Sequence, residues 1–152
     1  MTQKTIALAS VMGILGAIDP DVTTASTVTT GWISTSLWQD YMAIVMAGTL
    51  GTSATLDAKI EQASDSSGTG VKDLTGSAIT QLTQAGTDSD KQAVISFSAD
   101  DLDIANGFNH FRLSVTLGTA TSDLGAIVLG SGCRYGPAAD YDATTVDEVV
   151  IL

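Results

Sequence analysis

Few residues of this chain belong to the types that perform chemistry, and their spacing favours structural roles. There is one histidine, His110, and one cysteine, Cys133. A nucleophile–base pair would have to combine His110 with Cys133 or with a serine, but no Gly-x-Ser-x-Gly elbow is present. We therefore expect His110 to be a surface or interface residue. We expect Cys133 to be a small buried apolar residue that forms no intrachain disulfide. The sequence predicts that the protein is not an enzyme.

Acidic and glycine-rich stretches are the candidates for metal and cofactor sites. Asp100, Asp101 and Asp103 lie close together, as do Asp19 and Asp21. The first group lacks the glycine and the distal glutamate of an EF-hand loop, so we expect a solvated turn with helix-capping carboxylates. The loop at 65–70 lacks the Lys-Ser/Thr ending of a phosphate-binding loop. We predict no metal and no cofactor.

The charge balance restricts the partners that the protein can bind. Six Lys and Arg residues face 17 Asp and Glu residues, which gives a net charge of -11. Nucleic-acid binding requires a basic surface, so we predict none. The uncharged run at 5–18 is too short for a typical membrane span and has no clean cleavage site after it. We interpret this run as an N-terminal strand or arm, and we predict no membrane partner.

Hydrophobic periodicity indicates strands along most of the chain. Residues 54–62 alternate between an apolar face at 56, 58 and 60 and a charged face at 57, 59 and 61. Residues 111–117 alternate in the same way, and 93–97 and 78–83 suit shorter strands. The continuous apolar run at 41–47 predicts a strand covered on both faces. The run at 126–129 predicts a further buried strand.

These elements predict an all-β fold. About eight short antiparallel strands separated by polar turns are typical of a single β-sandwich, here jelly-roll-like. We predict an N-terminal arm or edge strand at 1–30, a sandwich core at 31–137 and a C-terminal extension at 138–152. A chain of 152 residues can bury a core without a metal or a disulfide.

Candidate contact residues lie in three places. Trp32, Trp38 and Tyr41 could pack in the core at one end of the sandwich or form a contact patch for a partner, where such residues are enriched. The apolar residues at 149–152 could add to a sheet edge, in the same chain or in a neighbour. The candidate partner-binding residues are Ile6, Leu8, Val11, Ile14, Trp32, Trp38, Tyr41, Val149, Val150, Ile151 and Leu152.

Seven stretches form a pattern of strands and turns, namely 31–32, 42–48, 56–63, 67–73, 78–82, 108–113 and 134–137. This pattern resembles small virion proteins of tailed bacteriophages, prophages and gene transfer agents. The resemblance covers roughly residues 30–137 and is not an active-site motif.

This resemblance implies a head-decoration (cement) protein. Such a protein is a β-sandwich on the outer surface of a capsid, which it stabilises by bridging subunits of the major capsid protein. We expect a homotrimer or another homo-oligomer, located on the outer surface of the virion after synthesis in the host cytoplasm. The alternative is a head-spike base or a tail-associated module that presents a host-binding fibre.

Overall fold

Ten β-strands and four short 3-10 turns make up the computed structural model, which describes residues 6–151. The 3-10 turns are Leu8–Ser10, Ala99–Asp101, Ile104–Asn106 and Ala138–Tyr141. The strands are β1 (Met12–Thr23), β2 (Thr27–Thr29), β3 (Ile33–Ser34), β4 (Asp40–Ala47), β5 (Thr55–Ala63), β6 (Lys72–Asp73), β7 (Leu82–Thr83), β8 (Gln92–Ser98), β9 (His110–Gly118) and β10 (Ser122–Ser131).

The strands form two antiparallel sheets. The four-stranded sheet has the order β1-β10-β4-β8. The six-stranded sheet has the order β2-β9-β5-β6, with β3 also paired to β9 and β7 also paired to β5. β2 and β3 both pair with β9, and β6 and β7 both pair with β5, so each of these two sets can be counted as one interrupted strand. With the resulting eight strands numbered in chain order, the two sheets have the orders 1-8-3-6 and 2-7-4-5. That order is a jelly roll, so the predicted all-β, jelly-roll-like sandwich is confirmed.

The division of the chain predicted from the sequence can be followed on this topology. Residues 1–30, predicted as an arm or edge strand, contain β1 at the edge of the four-stranded sheet and β2 in the other sheet. Residues 31–137 contain the remaining strands. Within 138–152, the turn at Ala138–Tyr141 packs against β1. Of the strand predicted at 78–83, only Leu82–Thr83 is a strand.

The core lies between the inner faces of the sheets and is centred on three aromatic rings. The centroids of Tyr41 and Phe111 are 4.5 Å apart, and those of Phe97 and Phe111 are 4.9 Å apart in an edge-to-face arrangement. Trp38 closes one end, packed against Gly13 and Gly130, where a Cβ atom would lie within 3 Å of the indole ring. These two glycines are therefore required for the indole to approach the sheet.

Tyr41 carries a hydroxyl into the core, and this group is hydrogen-bonded. Its hydroxyl donates a hydrogen bond of 2.8 Å to the backbone oxygen of Trp38. Burial, assisted by the nearby charge of Asp40, raises the pKa of the Tyr41 hydroxyl above its ordinary value. The neutral phenol is therefore the form that the folded protein holds.

We expect Tyr41→Phe to lower the free energy of unfolding by about 1 kcal/mol at pH 7, because one buried hydrogen bond is lost. Since the folded pKa is raised, the contribution of Tyr41 is fully present below about pH 10 and is lost as the pH rises further, where the unfolded chain ionises first. Urea unfolding between pH 7 and 11 measures both effects. The variant should show a shallower alkaline loss than the parent, and an identical loss would contradict the assignment.

Candidate functional site: the outer face of the four-stranded sheet

The two sheets present outer faces of opposite chemistry. On the six-stranded sheet, β5 and β9 carry charged side chains outward, as the alternation at 54–62 predicts. Arg112 Nε lies 2.8 Å from Glu61 Oε2, and Lys59 Nζ lies 2.6 Å from Asp73 Oδ1. The hydrogen bond to Asp73 raises the pKa of Lys59. This face is an ion-paired surface in which the cations already have partners within the chain.

Trp32 belongs to that charged side. It is half-buried, and the guanidinium carbon of Arg112 lies 4.5 Å from the centre of its ring. Its indole also lies against Gly68, where a Cβ atom would approach the indole nitrogen to 2.8 Å. Arg112 therefore bridges Trp32 and Glu61, and the three side chains form one local cluster.

The outer face of the four-stranded sheet is apolar. Paired residues of antiparallel strands point to the same side, so the register defines rows across the sheet. One row contains Ala17, Ile127, Ile44 and Val94. The row beside it contains Ile14, Leu129, Met42 and Ser96. We call these two rows, with Met46, the apolar face.

The side chains of the apolar face are accessible. Val94 is 56% exposed and Met46 is 42% exposed, while Ile44, Ile127 and Leu129 are half-buried by their neighbours. The interpretation of 41–47 as a strand covered on both faces is therefore wrong for the chain as described. The inner side of β4 is buried, and its outer side is covered only by adjacent side chains.

The charges lie at the ends of the apolar face. β1 has a register shift between Ile18 and Asp21, where Pro20 sits over Gly125. A groove of about 460 Å³ opens here, lined by Pro20, Val22, Met46 and Leu124 together with the exposed carboxylates of Asp21 and Asp123. Asp40 lies at the opposite end of the face. The face thus has an apolar centre and an acidic rim.

Segments from both ends of the described chain lie beside β1. The turn at Leu8–Ser10 packs against the turn at Ala138–Tyr141. Asp142 accepts a hydrogen bond of 2.5 Å from the backbone N–H of Ile14, and the N–H of Ala143 donates to Ile14 oxygen at 2.6 Å. These bonds fix both segments to the edge of the four-stranded sheet.

The predicted contact residues lie in different parts of the structure. Ile14 lies on the apolar face, and the side chains of Ile6, Leu8, Val11, Val149, Val150 and Ile151 are exposed near β1 or in the tail that leaves it. Leu152 lies outside the described residues. Trp38 and Tyr41 are 5% and 2% exposed, which corrects the alternative of a contact patch built with Trp32, because packing against the core hides both rings.

Several residues of the apolar face were missed from the sequence, namely Met42, Ile44, Met46, Val94, Ile127 and Leu129. The sequence feature that could have indicated these residues is the pair of continuous apolar runs at 41–47 and 126–129. A run without polar residues does not show which side of a strand faces the core.

The residues considered for catalysis and metal binding make contacts that are typical of structural roles. The ring of His110 hydrogen-bonds Asn109 at 2.6 Å, and Cys133 is partly buried against the core. Asp101 caps the turn at Ala99–Asp101 by accepting from the N–H of Ser98 at 2.7 Å. Within residues 6–151, no group of three or more His, Cys, Asp or Glu side chains is placed to hold a metal ion. In the same range, no helix is long and apolar enough to cross a membrane.

The fold and the apolar face define a jelly-roll domain with one exposed apolar sheet. No protein-family model matches the chain, and no curated protein matches it. Among solved structures, it is similar to chains of infectious bursal disease virus, Gt and Gx strains, with 12% and 14% identity and a TM-score of 0.45 for each. The alignments cover 84% of this chain but only 33% and 34% of those chains, so the chain spans about a third of their length.

A third similar structure is the cowpea mosaic virus top component, a naturally occurring empty particle. The identity is 9% and the TM-score is 0.43, with 83% of this chain and 87% of that chain covered. The strand order of the chain itself, not these likenesses, identifies the jelly roll.

Proposed function

We propose that this protein is a non-enzymatic structural component of a virion, one that decorates and stabilises the outer surface of a tailed-phage capsid. The observation that carries the proposal is the apolar face. A sheet with one buried face normally presents polar side chains on its other face, as the six-stranded sheet does. Exposed apolar surface of this kind marks an interaction site.

The size of the apolar face fits a contact that is repeated many times. Four strands spaced about 4.8 Å apart, over five residues that each rise about 3.3 Å, give roughly 14 Å by 13 Å between Cα atoms. A stable interface between two proteins commonly buries about 800 Å² on each side, so this face alone makes a small interface. Copies held at symmetric positions, each bridging neighbouring shell subunits, would gain from avidity.

The acidic rim supports a particular chemistry for the partner. Among residues 6–151, four of the five cations lie in ion pairs with Glu61, Asp73, Asp88 or Asp103, and none of these pairs includes a carboxylate of the acidic rim. The rim carboxylates of Asp21, Asp40 and Asp123 therefore favour a partner with an apolar centre surrounded by Lys or Arg. We assign this role to subunits of the major capsid protein, following the resemblance of residues 30–137 to virion proteins.

Counting the copies of the protein in purified particles tests the proposal. Quantitative mass spectrometry should give a copy number comparable to that of the major capsid protein. Cryo-electron microscopy should show the density of the protein on the outer surface of the shell. A few copies confined to vertices or to the tail would favour the head-spike base or tail module instead. Absence of the protein from purified particles would overturn both.

A further inference from the structure

The free edge of β8 differs from every other strand edge among the described residues. β8 is the last strand of its sheet, and its seven residues include no charged residue, no proline and no register shift. The opposite edge strand, β1, contains Pro20 and two register shifts, and the edge strands of the other sheet have only two or three residues. Proline, bulges, charges and short length are the devices that protect edges from further pairing, and β8 has none of them.

The backbone groups of β8 that point away from the sheet can be identified from the register. Ala99 N–H donates to Gln39 oxygen and Ala47 N–H donates to Lys91 oxygen, which fixes the hydrogen-bonded pairs at the odd-numbered residues of β8. In an antiparallel ladder these pairs alternate, so Gln92, Val94 and Ser96 direct N–H and C=O outward. All three residues are exposed.

A groove beside this edge offers space for side chains of an added strand. It has a volume of about 260 Å³ and lies between β8 and the loop at 74–77. Leu74, Ile95 and Phe97 contribute its apolar lining. A strand paired to β8 would direct every second side chain into this groove and the others onto the extension of the apolar face next to Val94.

The same chain contains a segment suited to such pairing. Residues 147–151 lie outside the described strands and helices and make no backbone hydrogen bond within the described part of the chain. Val149, Val150 and Ile151 are 41%, 70% and 54% exposed. Valine and isoleucine favour strands, so this segment is poised to extend a sheet.

The segment cannot reach β8 of its own chain in this arrangement. Ala143 is bonded to Ile14 on β1, and a strand added outside β8 would lie four strand spacings, or about 19 Å, from β1. The four residue steps from Ala143 to Asp147 span at most about 14 Å when fully extended. The bond from Val146 N–H to Ala143 oxygen shortens this span further. Pairing between two copies removes this constraint.

We propose that residues 147–151 of one copy add as a strand to the β8 edge of a second copy. The contact is head-to-tail, because the tail of each copy binds the edge of the next, and such contacts produce rings when the rotation closes. Backbone pairing supplies the affinity, and the groove lined by Leu74, Ile95 and Phe97 supplies selectivity for apolar side chains. This association needs no capsid and is independent of the proposed function.

Salt should strengthen this association. Each copy carries a net charge of -11, and Asp147 and Glu148 lie within the added strand. Screening the repulsion between copies therefore favours the oligomer. The opposite dependence is expected for a contact between the acidic rim and a basic partner.

Sedimentation velocity of the isolated full-length protein, over a range of concentrations at 50 mM and 500 mM NaCl, tests the proposal. We expect a concentration-dependent oligomer that tightens with salt. Val94→Pro removes an N–H that points away from β4, so no bond within the sheet is lost. It should raise the dissociation constant about tenfold or more, as expected for losing a backbone hydrogen bond and its geometry. Val94→Thr keeps the N–H and the β-branched shape, and should assemble as the parent does.

A second variant, truncated after Val146, keeps β8 intact and removes the added strand. We expect it to be monomeric with an unchanged melting temperature. If Val94→Pro fails to fold, this truncation decides the question. A parent protein that remains monomeric at every concentration and salt level would overturn the proposal, as would a truncated variant that assembles normally.

Discussion

Replacing Ile44 by aspartate is expected to reduce binding to the capsid shell by about a thousandfold or more. Ile44 lies in the middle of the apolar face, between Ile127 and Val94 in the same row. Docking would remove this position from water, and an unpaired carboxylate there costs several kcal/mol. A cost of about 4 kcal/mol corresponds to the thousandfold loss. Co-sedimentation of the variant with purified shells that lack the protein measures the effect.

The matched control places the same charge on the other outer face. Thr29 is exposed on β2, and Val28 beside it packs against the core, so the Thr29 side chain points outward from the six-stranded sheet. Thr29→Asp adds an equal charge to the molecule and should bind shells within about threefold of the parent, as is typical of charge changes outside an interface. Equal losses for Ile44→Asp and Thr29→Asp would show that net charge, not the apolar face, controls binding.

The architecture could be predicted because alternation reports directly on burial in strands with one wet face. Residues 54–62 and 111–117 have charged or polar residues at every second position, and β5 and β9 follow that pattern. The strand Leu82–Thr83 shows that alternation alone does not predict the length of a strand. Residues 78–81 alternate too, but their backbone is joined to β5 by a single bond from Ile79 N–H to Ala58 oxygen, so no continuous ladder forms.

The apolar face could not be predicted because it depends on the register between strands distant in sequence. Ile44 and Ile127 belong to separate apolar runs, and only their pairing across β4 and β10 shows that they share a face. Nothing in a run such as 41–47 separates residues facing the core from residues facing a partner. The same limit applies to β8, whose outward N–H groups follow from bonds at Gln39 and Ala47.

For a different reason, the sequence did not decide whether the predicted aromatic residues lie in the core or at an interface. Tyrosine and tryptophan are enriched both in cores and at interfaces, so residue type alone does not decide between them. Trp38 is assigned to the core by Gly13 and Gly130, which are 117 residues apart in sequence and both lie against its indole ring.

The largest loss of stability is expected from Phe111→Ala. Phe111 is fully buried, and its ring contacts both Tyr41 and Phe97, so the substitution leaves a cavity between the sheets. Truncating a buried phenylalanine costs about 3–5 kcal/mol, a large part of the 5–15 kcal/mol that stabilises a typical domain. Urea unfolding should show a midpoint shifted to a much lower concentration with an unchanged slope.

Phe108→Ala is the matched control, because it removes the same atoms from a half-buried ring that Lys72 Nζ contacts at 3.9 Å from the centroid. We expect a loss of about 1 kcal/mol or less, the usual value of such a contact near the surface. Equal losses at positions 108 and 111 would contradict the central role of the aromatic cluster.

Phe111→Ala and Ile44→Asp should also separate stability from docking. At a temperature where the Phe111→Ala variant remains folded, its apolar face is unchanged and its shell binding should be close to that of the parent. Ile44→Asp should show the reverse, with little change in unfolding and a large loss of binding, because its charge lies on the outer side of β4. If both variants lost binding in proportion to their stability, the aromatic core and the outer side of β4 would not have the separate roles inferred from the register.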